Sequence, residues 1–261
     1  MLQPSWLCFL DILGFREILA ANNQSGILTL HQLLRDGRDV LEGDDEELEF
    51  IGHNYHALTA FTDNIALGFP IADDGEIESG IVFERVAQFQ LRMVLGGFFV
   101  RGGIAFGDAY IDDLAVYGQP LLDAYQAETN LALDPRIVLT ETAKAQVSEH
   151  LDYYFRNPYA PQNSDLKRDR DGQWFVDYLQ AVILDGSVEN LTVDSDSLSA
   201  HRDMVLTKLS EYRGQPRIWS KYEWVARYHN DFCQRNSQIF DTTFLIDVDA
   251  GRGEIGSILE T

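Results

Sequence analysis

The sequence predicts an α+β sandwich: a mostly antiparallel sheet with helices packed on one face. The order of apolar segments is the first observation, reading β, α, α, β, β, α, β before a mixed second half. Composition is the second. The 261 residues are 45% hydrophobic and 24% charged, enough to bury a core without a disulfide or structural metal. The third is what is missing. No GxGxxG follows the first strand and no GxxxxGK[ST] occurs anywhere, which removes the dinucleotide-binding and P-loop architectures.

Each element has a local reason. Trp6–Leu10 is a continuous apolar run too short for a helix, hence a buried strand, and Asp11 stands at its end. Helix is expected from about Phe15. Asn22–Gly26 breaks it, and a second helix covers about 27–41. Residues 42–49 carry six carboxylates in eight positions and read as a solvated loop or helix end. Tyr55–Phe61 and Ile65–Phe69 form a hairpin around Thr62-Asp63-Asn64. Pro70–Gly75 is a loop, and Ser79–Leu95 has helical periodicity ended by Gly96-Gly97.

Phe98–Phe106 is a strand, which Gly107–Ile111 either continues or follows with another. Gly118 to about Leu131 is a helix with Pro120 in its first turn. Arg136–Leu139 is a strand, Thr140–Glu149 a helix capped by Thr140, and Asp152–Phe155 a strand. Residues 157–173 read as a long loop or hairpin tip, and Trp174–Leu184 as an apolar return. Residues 185–199 are polar, and helices follow at about 199–213 and 218–236. Thr242–Val248 closes as a strand. In the helix near Trp219–Asn230 the aromatic stripe points to packing. The expected organisation is a core over 1–150, with 151–261 completing the same domain.

Forty-two acidic against twenty basic residues leave a net charge of −22. Such a chain lacks the basic face that binds nucleic acid or an anionic membrane. No apolar run approaches the length that spans a bilayer. Met1–Phe15 has no basic leader and is interrupted by Asp11, so it does not read as a signal peptide, and a cytoplasmic location is expected. Cys8 and Cys233 cannot form a disulfide scaffold, and His53, His56 and His229 are not spaced with them as a zinc box.

Two carboxylates carry the chemistry. Asp11 ends the first strand and Asp63 tips the hairpin. If the hairpin lies beside that strand, the two meet at one sheet end. Facing carboxylates repel, and a divalent cation removes the conflict. Mg²⁺ uses one or two carboxylates together with substrate phosphates, and a pair of such ions activates a hydroxyl and neutralises a leaving phosphate.

Phe9-Leu10-Asp11-Ile12-Leu13-Gly14-Phe15 resembles the first metal motif of class III nucleotidyl cyclases. Phe61-Thr62-Asp63-Asn64-Ile65-Ala66 is similar to their second, Val100–Gly107 to the Arg-x-Gly-Ile-x-x-Gly strand, and Val116-Tyr117-Gly118 to the segment opening the next helix. The ordered set spans about residues 6–140. It implies a ferredoxin-like cyclase catalytic domain with a C-terminal α/β extension. It also implies a homodimer with active sites at the subunit interface, and two Mn²⁺ or Mg²⁺ per site held by Asp11, Asp63 and the Ile12 carbonyl.

In the purine cyclases a Lys and an Asp read the base, and an Asn and an Arg steady ribose and transition state. Those places hold Thr59, Ala115, Leu122 and Gln126 here. The free-standing chain, the Arg-Gly-Gly-Ile-Ala-Phe-Gly strand and the Tyr-Gly-Gln-Pro-Leu-Leu helix resemble the pyrimidine cyclases of bacterial Pycsar anti-phage systems. That resemblance implies conversion of UTP, ahead of CTP, to a 3′,5′-cyclic nucleotide that opens an effector. Alternatives are a purine cyclase and a catalytically silent nucleotide sensor. Arg101 replaces the missing arginine at the phosphate, or else pairs along its strand face with Asp108 or Asp112. The amides of Leu13 to Phe15 are candidates to hold phosphate oxygens at a helix start, with Arg16 either adding charge there or lying as a surface arginine. Phe50, Tyr55 and Thr59 are candidates for the pyrimidine pocket, with core packing the other reading of Phe50 and Tyr55.

Overall fold

In the computed structural model the described residues are 2–15, 24–42, 57–61, 64–71, 74–112, 115–155, 160, 162–185 and 192–248. The chain divides into two compact units, Met1–Ala181 and Val182–Thr261. Among the described residues no helix is long and apolar enough to cross a membrane.

The first unit is a mixed α+β domain built on β1 (Gln3–Ile12), longer than the apolar run alone suggested. β1 lies antiparallel between β3 (Asn64–Pro70) and β4 (Val100–Ile111), and β2 (Ala57–Phe61) completes the hairpin with β3. The sheet order is β2-β3-β1-β4-β6-β8-β7, where β6 is Ile137–Leu139, β7 Leu166–Arg168 and β8 Trp174–Val176, with β5 (Val116–Gly118) paired to β4. The first four strands, with α1 (Gln24–Glu42) and α2 (Glu76–Leu95) between them, form the split βαβ arrangement of a ferredoxin-like domain. β4 is one continuous strand through Gly107. β6 (Ile137–Leu139) runs parallel to β4 after the crossover through α3 (Gln119–Asn130).

Helices cover both faces, not the single face expected. Side chains alternate along a strand. Trp6 packs edge-on against Phe83 of α2 at 5.5 Å, while Phe9 on the opposite face joins Ala105, Ala124 and Leu121, bringing in α3. β1 is therefore buried on both sides, which explains its unbroken apolar stretch. The approach of α3 depends on Gly103. A Cβ there would stand 2.2 Å from the Ala124 carbonyl oxygen.

α4 (Glu141–Tyr153) is capped by Thr140, whose hydroxyl accepts from the Ala143 amide at 3.3 Å. It absorbs the first half of the strand expected at 152–155, and Tyr154 and Phe155 form a turn, because Ala143, Val147 and His150 continue the buried helical stripe. After a short helical turn, α5 (Gln162–Asp165), the expected loop or hairpin tip becomes a hairpin of β7 (Leu166–Arg168) and β8 (Trp174–Val176). Arg136, buried at the start of β6, holds its turn through Asp169 and Asp171.

The second unit opens with β9 (Ile183–Asp185) and β10 (Thr192–Val193), followed by α6 (Ser195–Glu211) and α7 (Pro216–Arg235). The aromatic stripe packs as expected: Tyr222, Tyr228 and Phe232 are buried, and Trp224 stacks on Tyr228. The strand expected at 242–248 is instead a single turn at Thr242–Phe244 and an extended tail. Its backbone finds a side chain in place of a neighbouring strand. Asn230 donates to the Ile246 carbonyl and accepts from the Ile246 amide, both at 2.8 Å.

His201 of α6 and His229 of α7 stack, Nδ1 to Nδ1 at 3.0 Å. His229 Nε2 lies 2.9 Å from the Phe244 carbonyl, which can only accept. Nε2 therefore carries the His229 proton, and His201 Nδ1 donates across the pair. Burial pushes His229 down to about 4, and pushes His201 well below its ordinary range.

Two predictions follow from the packing. Gly103→Ala should cost about 1–3 kcal/mol by overpacking, whereas Gly80→Ala, in a helix with open space around it, should gain about 0.5–1 kcal/mol. Denaturant midpoints at constant m-value check both. The unfolded His229 takes up its proton near 6.5 and the folded one near 4. Its contribution, on the order of 3 kcal/mol, should be complete above the upper value and lost as pH falls between the two. Urea midpoints across that window should slope downward in the native protein and less in His229→Gln.

Candidate active site

The end of β1 places the first carboxylate. Asp11 is the last residue but one of the strand, and Leu13 closes it by donating to the Phe99 carbonyl at 2.8 Å. Gly14 then turns the chain at φ +80°, a left-handed conformation that favours glycine, and Phe15, half-buried, begins a helix. The Leu13 amide is thus committed to the sheet and is not available to phosphate, correcting one of the expected donors. Gly14 and Phe15 remain for that role.

Sheet register brings the neighbours in. Asp11 stands opposite Asn64 in β3 and opposite Arg101 in β4. The hairpin does lie beside the first strand, and Asp63 precedes Asn64 in the chain. Asp63, Phe50, Tyr55 and Arg16 lie outside the described residues, as does the Thr59 side chain, whose backbone pairs with Ala66 in β2–β3. Among the described residues no three His, Cys, Asp or Glu converge as a metal cluster.

Arg101 pairs with Asp11 and with a residue the sequence reading passed over, not with Asp108 or Asp112. Its Nε donates to Asp11 Oδ2 at 3.0 Å, and its Nη2 lies 2.6 Å from Glu128 Oε1. Glu128 projects from α3 and is 3% exposed, while the Asp11 side chain is 17% exposed. One guanidinium thus serves two carboxylates, leaving the trio with one net negative charge in a site partly closed to water. The second Asp11 oxygen makes no hydrogen bond among the described residues. A signal for Glu128 was present in the helix pattern. It shares the inner stripe of α3 with Ala124 and Ala127, where an acid needs a buried partner.

The positions that depart from the purine pattern lie elsewhere on α3. Leu122 is 55% exposed and Gln126 is exposed one turn on, both on the face turned away from the sheet. Tyr125 lies between them, half exposed, with its ring edge-on to Phe9 at 5.3 Å. Ala115 sits in the β4–β5 turn, its amide bonded to Asp112.

No protein-family profile matches this chain, and no curated protein does. Solved structures of similar fold include the adenylyl cyclase CyaB from P. aeruginosa, at 13% identity and TM-score 0.48, covering 73% of this chain and 98% of that one. The guanylyl cyclase Cya2 is similar at 13% identity and TM-score 0.43, covering 74% and 98%. The monomeric guanylyl cyclase domain of the RhoGC fusion protein from the aquatic fungus Blastocladiella emersonii follows at 14% identity and TM-score 0.42, covering 67% and 95%.

Proposed function

We propose that this chain is a nucleotidyl cyclase that converts a pyrimidine nucleoside triphosphate, UTP ahead of CTP, to its 3′,5′-cyclic monophosphate and pyrophosphate. One observation carries the reading. Asp11, at the end of the central strand, stands in register with the residue after Asp63 and faces a guanidinium across β4. A carboxylate so placed, its second oxygen making no hydrogen bond among the described residues, fits a cation that takes hard oxygen ligands. Asp11, Asp63 and the Ile12 carbonyl would hold Mg²⁺ or Mn²⁺, two per site. Bound there, the ions would lower the pKa of the ribose 3′-hydroxyl and neutralise the triphosphate.

The remaining work falls to the chain. The 3′-oxygen bonds the α-phosphorus in line as the bond to the pyrophosphate oxygen breaks, and the hydroxyl proton passes to solvent. Arg101 meets the phosphate charge, and the Gly14 and Phe15 amides, with Arg16, receive phosphate oxygens where the helix begins. Phe50, Tyr55 and Thr59 would form the pyrimidine pocket. Thr59 and Ala115, in place of the purine-reading Lys and Asp, favour the smaller base.

Leu122, exposed on the outward face of α3, favours a homodimer in which each subunit completes the other's site. The acidic chain acts in the cytoplasm, and its product serves anti-phage defence by opening a cyclic-nucleotide-responsive effector.

Incubation with each of the four nucleoside triphosphates and Mn²⁺, with products identified by mass, tests the reading. Cyclic UMP is expected, with less cyclic CMP. Cyclic AMP or GMP would instead assign a purine cyclase, and nucleotide binding without turnover a silent sensor. Asp63→Ala and Asp11→Asn should each abolish product while circular dichroism stays native. Turnover that survives either change would remove the metal assignment.

A further inference from the structure

We propose that the Tyr125 ring of α3 is a stacking surface for the base of the substrate, giving affinity for a base without choosing which. The inference rests on the nucleotide reading above and deepens it. Its ground is the order of two cross-strand rows. Asn64, Asp11 and Arg101 pair in one row over β3, β1 and β4. Thr59, Ala66, Phe9 and Gly103 pair in another over β2, β3, β1 and β4. Phe9 and Asp11 stand two residues apart on β1, so the rows share a face of the sheet and lie about 7 Å apart.

The helix α3 covers that face, because Ala124 packs on Phe9 and its carbonyl lies against Gly103. The next residue, Tyr125, sets its ring edge-on to Phe9 at 5.3 Å. It therefore stands over the second row, beside the row that carries Asp11. Phe9 and Ala66 are buried, whereas half of Tyr125 is exposed. Among the described side chains at this row, the surface open to a ligand is the Tyr125 ring.

The direction of the substrate follows from the chain. Phosphates received by the Gly14 and Phe15 amides lie beyond Asp11, at the strand end. Ribose and base then extend the other way, over the row of Phe9, which brings the base level with Tyr125. A ring already braced by a second aromatic loses little freedom when a base settles on it. Stacking accepts any base, since each has a π-face. Selection among bases is left to contacts at the base edge, and the Thr59 position shares the row.

Titration calorimetry on the purified full chain tests this with three probes. Two are the α,β-methylene analogues of UTP and CTP, which cannot lose pyrophosphate because a P–C bond replaces the bond that must break. The third is inorganic tripolyphosphate, which has no base. Tyr125→Leu should bind both analogues about tenfold more weakly and tripolyphosphate as the native chain does. Tyr125→Phe, which keeps the ring, should stay near native for all three. In turnover, Tyr125→Leu should raise the KM for UTP by a similar factor with kcat little changed, the sign of lost uniform binding. If Tyr125→Leu does not fold, Tyr125→Trp keeps a stacking face and should bind both analogues at least as tightly as the native chain.

The contrast between analogues and tripolyphosphate is what loosened packing would not produce. Equal losses for all three probes would overturn the stacking role and leave Tyr125 as a packing residue. Native affinity of Tyr125→Leu for both analogues would overturn it too, with the cyclase reading still standing if the native chain makes cyclic product. A loss confined to one analogue would overturn the indifference to base. A native chain that binds none of the probes would remove the nucleotide reading, and this inference with it.

Discussion

The close approach of α3 to β4 at Gly103 is the constraint from which the site follows. With no side chain at that position, the helix backbone settles directly on the strand, and a single added carbon would collide with the Ala124 carbonyl. At that separation Ala124 and Ala127 fill the interface, and the next inward position, Glu128, reaches the plane of Arg101. A helix held farther off would leave both groups to water. The small residues of Arg101-Gly102-Gly103 thus do chemistry indirectly, by fixing the distance at which a buried acid meets a strand-borne base.

The remainder of the first unit supports that geometry. β1 is covered on both faces, so its register with β3 and β4 is strongly specified: a one-residue slip would exchange the faces of Trp6 and Phe9. Asp11 is held at its place by that register and by the Leu13–Phe99 bond, then released into the Gly14 turn. Burial of Arg136 between Asp169 and Asp171 serves the far side of the sheet in the same currency, anchoring the β7–β8 hairpin where β8 has only a short pairing with β6.

The second unit satisfies its polar interior differently. Two imidazoles share one proton bridge and both stay neutral, an arrangement that burial favours and acid opposes. The Asn230 amide takes the part of a neighbouring strand for the Ile246 backbone, so an apolar tail that reads as β needs no sheet to join.

Periodicity and punctuation determined most of the elements before any tertiary contact was considered. The β2–β3 hairpin, the helix expected over 79–95 and found over Glu76–Leu95, the helix opened by Pro120 and the Thr140 cap are local events, set by residues within a few positions of one another. Asp11 was legible because it stands at the end of such an element. Tertiary structure decided what local pattern cannot encode. The strand expected near 152–155 became a helix end and a turn because the helical stripe had a core to bury, and the strand expected at 242–248 became a tail whose backbone bonds a side-chain amide. Which partner Arg101 takes was equally nonlocal. Asp108 and Asp112 are near in sequence, but alternation and register aim the guanidinium at Asp11, ninety residues away, and at Glu128 across the helix interface. Sequence fixes a side chain's chemistry and its phase along an element. Its partner depends on which elements pack together, and how closely, and that is settled only when the whole sheet and its helices come together.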